Sequence, residues 1–256
     1  GMSIATIDDV KEALQKRAEY FHQHGCRISD HGLLFIPHRF ELNTSLENEF
    51  KTFVANGNTT SFSDPDAFAG AMLMHLCKIY HQLGWVQQLH LGPIRNNNSR
   101  LLKQLGADAG VDSIGDFSQA APLSAFLDAL DKTNQLAKTI LYNINPADNE
   151  VFATMCGNFN DGETKGKIQY GSGWWFLDQK DGIEKQLNAL SNMGTISTFV
   201  GMITDSRSFL SYSRHEYFRR TLCNLLGDEM EKGLLPNDEK WIGGMVEDIC
   251  YHNAKA

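Results

Sequence analysis

Short apolar runs alternate along this chain with stretches in which apolar residues recur every three or four positions. Four of the runs break off into polar, chemically able side chains. The breaks fall at Arg27-Ile28-Ser29-Asp30-His31, at Val86-Gln87-Gln88-Leu89-His90 with Arg95 just beyond, at Lys167-Ile168-Gln169-Tyr170 leading into Ser172-Gly173-Trp174-Trp175, and at Val200-Gly201-Met202-Ile203-Thr204-Asp205-Ser206-Arg207. Parallel strands with helices between them produce this rhythm, because buried strands read as apolar runs while their carboxyl ends open onto a shared cleft. Chemistry is therefore expected at strand ends.

The helical periods fill the gaps. Residues 7–23 place Val10, Leu14, Ala18 and Phe21 on one face, with acidic residues in front and Gly25 as a stop. Residues 35–66 are polar and irregular, and read as an insertion with a short helix at 47–54. A strong helix follows at 65–83, carrying Phe68, Ala71, Met72, His75, Leu76 and Ile79 on one side. Further helices are expected at 120–133, 148–155, 179–193, 212–226 and 238–252, and strands at 26–29, 85–91, 138–144, 167–171 and 199–204. The stretch 92–116 reads as a long loop, of the kind that usually has a function in a compact domain. These are five strand-then-helix units, whereas a closed (β/α)8 barrel needs eight strands. Either three strands are absent or the sheet is open.

With 256 residues, 42% of them hydrophobic, the chain can bury a full core, and a single domain over 1–256 is the expectation. A formal charge of -8 argues against a nucleic-acid partner, and requires local arginines to catch any anionic ligand. The five cysteines, Cys26, Cys77, Cys156, Cys223 and Cys250, are far apart with no C-x-x-C pair, which suits a reduced, cytoplasmic protein. No stretch is apolar enough to span a bilayer. Gly1 ahead of Met2 reads as a cloning remnant.

The residues alone leave several roles open. Asp205 at a strand end is as consistent with a helix cap as with a site acid, and Arg207, two positions on, can face the same way or form a surface ion pair. A lone strand-end histidine such as His90 is more often a hydrogen-bonded core group than a functional one. Asn96, Asn97 and Asn98 read as side chains that tie a loop to its own backbone. Alternation after Gly171-Ser172-Gly173 puts one indole of Trp174 and Trp175 in the core, and Trp174 is taken as the one facing the cleft. Phe209, Tyr212, His215, Tyr217 and Phe218 read as a packed helix face. Arg214, Arg219 and Arg220 read as a solvated one. His22-Gln23-His24 sits on a helix end, where a solvated role is expected.

The segments Gln88-Leu89-His90-Leu91-Gly92-Pro93-Ile94-Arg95-Asn96-Asn97-Asn98-Ser99-Arg100, Asn145-Pro146-Ala147-Asp148-Asn149-Glu150, Gly171-Ser172-Gly173-Trp174-Trp175-Phe176 and Thr204-Asp205-Ser206-Arg207-Ser208-Phe209 resemble the uronate isomerase (glucuronate isomerase) family of the amidohydrolase superfamily. The resemblance runs from Ile7 to the C-terminus and corresponds to the family's carboxyl-terminal half. It implies a partial (β/α)8 TIM-type barrel of about five parallel strands, without the amino-terminal strands and the His-x-His pair that ends the first of them. The implied reaction converts D-glucuronate to D-fructuronate and D-galacturonate to D-tagaturonate by proton transfer through an enediolate.

In that scheme Asp205 is the base or a metal ligand and His90 a catalytic strand-end group. Arg207 and Arg95 hold the substrate, Trp174 stacks on its sugar ring, and His31 matches another strand-end position on the substrate side. With the His-x-His pair missing, one divalent metal such as zinc is expected to be bound weakly or not at all by this chain alone. The implied partners are a hexuronate and either a second copy or a complementing amino-terminal half that covers an open edge at 26–29 or 199–204. The competing expectations are a half-barrel that binds uronates or a protein without turnover, and a metal hydrolase, for which neither a carbamylated lysine nor a His-x-His pair is visible.

Overall fold

The first helix, α1 (Ile7–Gln23), starts where the sequence supplies its own cap: Thr6 Oγ1 accepts from the Asp9 N–H while the Asp9 carboxylate accepts from the Thr6 N–H. Strand β1 (Ile28–Leu33) follows. The segment read as an insertion contains helix α2 (Thr44–Ala55), capped by Asn43, and α3 (Pro65–Gln82) begins with Asp64 as its cap and Pro65 in its first turn. The computed structural model describes residues 2–57, 62–204, 206 and 208–255. Asp205 and Arg207 lie outside the described residues.

Beyond β2 (Val86–Leu91), the stretch expected to be a loop has structure of its own. It holds β3 (Pro93–Ile94), α4 (Ser99–Leu105) and β4 (Ser113–Ile114), with β3 and β4 paired antiparallel through Pro93 with Ile114 and Ile94 with Ser113. Two of the three asparagines, Asn97 and Asn98, tie it to its own backbone through their side chains as expected, while Asn96 takes part through its backbone. The Asn96 N–H donates to the Asp112 carboxylate, Asn97 Nδ2 donates to the Ile94 and Val111 carbonyls, and Asn98 caps α4 through the Leu101 N–H. Helix α5 (Ala120–Asp131), β5 (Thr139–Asn143), α6 (Asn149–Gly157), β6 (Ile168–Tyr170), α7 (Lys180–Met193), α8 (Ser213–Glu231) and α9 (Glu239–Glu247) complete the alternation.

The main sheet has the order β1-β2-β5-β6. The Val86 N–H donates to the Arg27 carbonyl and, further along, the Gly92 N–H donates to the Leu33 carbonyl, so β1 and β2 advance in step and run parallel. Among the described residues β1 is one edge strand, as expected, and the other is β6. The fifth expected strand, at 199–204, pairs with nothing there. Gly201 takes a φ of +75°, and a Cβ at that position would overlap the Ile249 carbonyl oxygen. Asn253 Nδ2 meanwhile donates to the Ser197 and Phe199 carbonyls at 2.9 Å each, so a side chain serves acceptors that a strand would otherwise use.

The chain divides into two units. Unit 1 comprises Gly1–His31, Phe35–Gln88 and Ser118–Thr139, and unit 2 comprises Gly32–Leu34, Leu89–Phe117 and Ile140–Ala256. In unit 1, Ile7, Leu46, Phe50, Ala67, Ala71 and Met72 form one apolar cluster, and Ala18, Ile79, Tyr80 and Trp85 form another. In unit 2, α6 packs on α7 and β6, with Phe152, Ile183 and Leu187 fully buried. The carboxyl ends of β2 and β5, and all of β6, belong to unit 2. No helix among the described residues is long and apolar enough to cross a membrane.

Candidate functional site

His90, next to last in β2, is buried, and its ring stacks on Tyr142 of β5 with centroids 4.1 Å apart and planes 1° from parallel. Trp174 meets the same imidazole edge-on at 4.4 Å, and its indole N–H donates to the Asn143 carbonyl at 2.8 Å. Room for Tyr142 comes from Gly171, just past β6, where a Cβ would run into the phenol ring. A buried polar network braces these strand ends. Asn143 Nδ2 donates to the Asn145 carbonyl and to Asn149 Oδ1, which also accepts from the Tyr170 hydroxyl at 2.8 Å. Burial pushes the Tyr170 phenol far above its ordinary pKa, so it serves as a fixed donor and not as an acid near neutral pH.

Trp175 turns the other way. Its ring lies 5.7 Å from that of Trp174 and 4.9 Å from the guanidinium carbon of Arg95, so an aromatic path joins His90 to Arg95. Arg95 Nη1 is 3.8 Å from an Asp108 carboxylate that is itself exposed, a pair worth little in water. Arg95 and Asp108 line a cavity together with Ile203, Thr204, Ser206, Ser208 and His215. Among the described lining residues the Arg95 guanidinium and the Thr204, Ser206 and Ser208 hydroxyls can donate to an anion, and the Asp108 carboxylate can accept from hydroxyls, a set suited to a polyhydroxylated anion.

Arg214 is not the solvated side chain that its spacing suggests. Its Nη1 donates to the Thr204 carbonyl at 3.0 Å and pairs with Asp178 Oδ2 at 2.9 Å. The Asp178 side chain is only 3% exposed, and burial raises its pKa, with Arg214 opposing part of the rise. The pair thus anchors the backbone one residue before Asp205 in sequence.

Of the residues singled out in the sequence, His90, Arg95 and Trp174 come together in unit 2. Trp174 is the core member of the indole pair, 3% exposed, while Trp175 is half-buried and holds the arginine. His31 belongs to unit 1, where its Nε2 shares a 3.0 Å hydrogen bond with the Tyr80 hydroxyl; burial lowers its pKa, and Asp30 opposes this. Asp205 and Arg207 lie outside the described residues. His22 Nδ1 accepts from the Trp85 indole at 2.9 Å, which occupies the first histidine of His22-Gln23-His24 structurally. Phe218 is buried as expected, but Phe209 and Tyr212 are 83% and 64% exposed, because α8 starts only at Ser213 and they sit on a short 3-10 turn before it. Sequence reasoning missed Asp178, which ends no apolar run, placed His215 on a packed helix face, and gave the cleft to Trp174 in preference to Trp175.

A family model described as glucuronate isomerase matches residues 1–256. The chain belongs to the glucuronate isomerase family. It is 58% identical over 255 residues to a uronate isomerase of Flavobacterium johnsoniae and 52% identical over 254 residues to one of Cellvibrio japonicus, covering 100% and 99% of this chain and 54% of each relative. It also superposes on the crystal structure of a uronate isomerase from Thermotoga maritima with a TM-score of 0.87 and 31% identity, over 98% of this chain and 53% of that one. The chain spans about half the length of the curated relatives it matches. The four-stranded parallel sheet with its helices is the α/β fold of uronate isomerases over the matched length, as the strand-end pattern led one to expect.

The divalent ion that the resemblance implies finds no cage among the described residues, where no three His, Cys, Asp or Glu side chains converge to hold a metal. His90 is flanked by Tyr142 and Trp174. This donor set does not fit a catalytic site with three protein ligands.

Proposed function

We propose that this chain forms the substrate-holding part of a uronate isomerase and takes part in converting D-glucuronate to D-fructuronate and D-galacturonate to D-tagaturonate. The observation that carries the reading is Arg95, braced on Trp175 at a cavity whose lining includes Thr204, Ser206 and Ser208, the described neighbours of Asp205 and Arg207 in sequence. In this reading the substrate carboxylate takes two parallel hydrogen bonds from the Arg95 fork, which a lysine could not supply. Asp205 removes the proton at C2 while O1 gains one, giving the enediol. Loss of the O2 proton and return of a proton to C1 then yield the ketose. Arg207 offsets the negative charge that develops on the enediolate oxygens. His90, fixed between two aromatic rings, orients a substrate oxygen.

The exposed edge strand β1, with Ile28 52% exposed, supports a second copy or a complementing segment as a partner. A native mass above that of one chain is the expected result, and a single-chain mass counts against it. The five free thiols accord with a cytoplasmic setting.

Turnover in deuterated water tests the chemistry. Deuterium is expected at C1 of the ketose, and Asp205→Asn is expected to lower kcat by about 10²–10⁴-fold. Product formed without solvent label would replace proton transfer by a hydride shift from C2 to C1. Binding of glucuronate without any product would leave a binding protein.

A further inference from the structure

Four described residues other than glycine have positive φ: Asn96, Asp108, Asn134 and Trp175. Three of them carry the short amide or carboxylate that tolerates this region. Trp175, at +50°, is an outlier for so bulky a side chain. Its surroundings leave it little choice. The Trp174 indole is held by the Asn143 carbonyl, the Leu177 N–H donates to the Trp174 carbonyl, and the Asp178 N–H donates to the Trp175 carbonyl at 3.2 Å. Gly173 and Gly182 both admit the Leu177 carbonyl so closely that a Cβ on either would collide with it, and the Asp178 carboxylate is tied to Arg214. Both flanks thus hold Trp175 in this conformation, and residues kept in such sparsely populated regions cluster at functional sites.

What the strain achieves is the placement of one indole face. Trp175 stacks on Phe176 with centroids 5.0 Å apart and carries the Arg95 guanidinium 4.9 Å from its own centroid. An arginine lying on an aromatic face keeps its in-plane N–H groups available, because the attraction uses the π cloud and not the donors. A half-exposed arginine would otherwise sample many rotamers, and fixing it beforehand removes an entropy cost from binding.

We propose that Trp175 is a positioning residue for Arg95: its indole orders the guanidinium at the cavity, so that the donor edge is ready for an incoming carboxylate. It thereby sets the preference for sugar acids over neutral sugars. The inference rests on the reading of Arg95 as the carboxylate ligand.

Calorimetric titration of D-glucuronate and of its neutral counterpart D-glucose into the unmodified chain, Trp175→Leu and Trp175→Phe tests it. Trp175→Leu is expected to weaken glucuronate about tenfold and to change glucose less than about twofold, while Trp175→Phe, which keeps a ring, stays within about threefold for both. Without any ligand, the side-chain δ protons of Arg95 should show an upfield ring-current shift by NMR that disappears in Trp175→Leu. Equal losses for the two sugars, or no ring-current shift in the unmodified chain, would overturn the proposal. Selective loss and the shift in a chain that never isomerises would uphold the positioning role and remove only the isomerase reading. Turnover with an unchanged ratio of acid to neutral affinity would do the reverse. No glucuronate binding at all would remove the Arg95 reading beneath both.

Discussion

Replacing Arg214 by leucine is expected to destabilise the protein by about 2–3 kcal/mol at pH 7, and by much less near pH 4. The Asp178 carboxylate is almost wholly buried, and Arg214 is its one ion-pair partner among the described residues. Removing one member of such a pair leaves an uncompensated charge, at a cost of about 3–5 kcal/mol when both are buried. The smaller figure is expected because the Arg214 side chain is 42% exposed and partly screened. The sign of the pH dependence follows from burial. Asp178 already titrates above its ordinary value of 3.8 in the folded state, and loss of the Arg214 charge, which lowers that value, drives it higher. A folded pKa above the unfolded one means that the folded state binds more protons, so the associated stability is full below about 3.8 and is lost as pH rises through the folded value. Leucine shifts that loss upward in pH and enlarges it. Urea denaturation at pH 7 and pH 4.5 checks this. A deficit of the same size at both values would contradict it, as would no improvement on adding Asp178→Asn, which removes the stranded charge.

Gly171→Ala is the second large effect. The added methyl would fall inside the contact distance of the Tyr142 ring, which is fully buried and stacked against His90, so it cannot swing into solvent. Overpacking of this kind costs about 1–3 kcal/mol, and relief requires the phenol and the imidazole to move together. The expected result is a lower urea midpoint with an unchanged slope, together with altered His90 ring resonances in the NMR spectrum. In a Tyr142→Leu background, where the ring is gone, the same alanine should cost at most a few tenths of a kcal/mol. If the two substitutions add without coupling, the close approach is not what Gly171 provides.

How far these features could be foreseen varies with their physical origin. The strands at 85–91, 138–144 and 167–171 were legible as short apolar runs and the helix at 7–23 by its three-to-four-residue period. The expected strand at 199–204 was misread for the same reason. Its residues are apolar enough, but Gly201 bends the backbone and the Asn253 amide, more than fifty residues later, takes the carbonyls. Long-range side-chain satisfaction leaves no trace in a local pattern. The site divides likewise. His90 and Arg95 end or follow an apolar run, which is what singled them out in the sequence; Trp175, Asp178 and Arg214 meet at a turn whose φ and hydrogen bonds depend on partners elsewhere in unit 2. The choice between Trp174 and Trp175 turned on which indole found a carbonyl, and only the fold supplies that.

On the proposed reading, the cavity lined by Arg95, Thr204, Ser206, Ser208 and His215 receives a hexuronate. A crystal structure of the protein soaked with D-glucuronate tests it most directly. The sugar carboxylate is expected in bidentate contact with Arg95 above Trp175, with C2 within reach of Asp205. Glucuronate bound away from Arg95, or Asp205 far from C2, would contradict it.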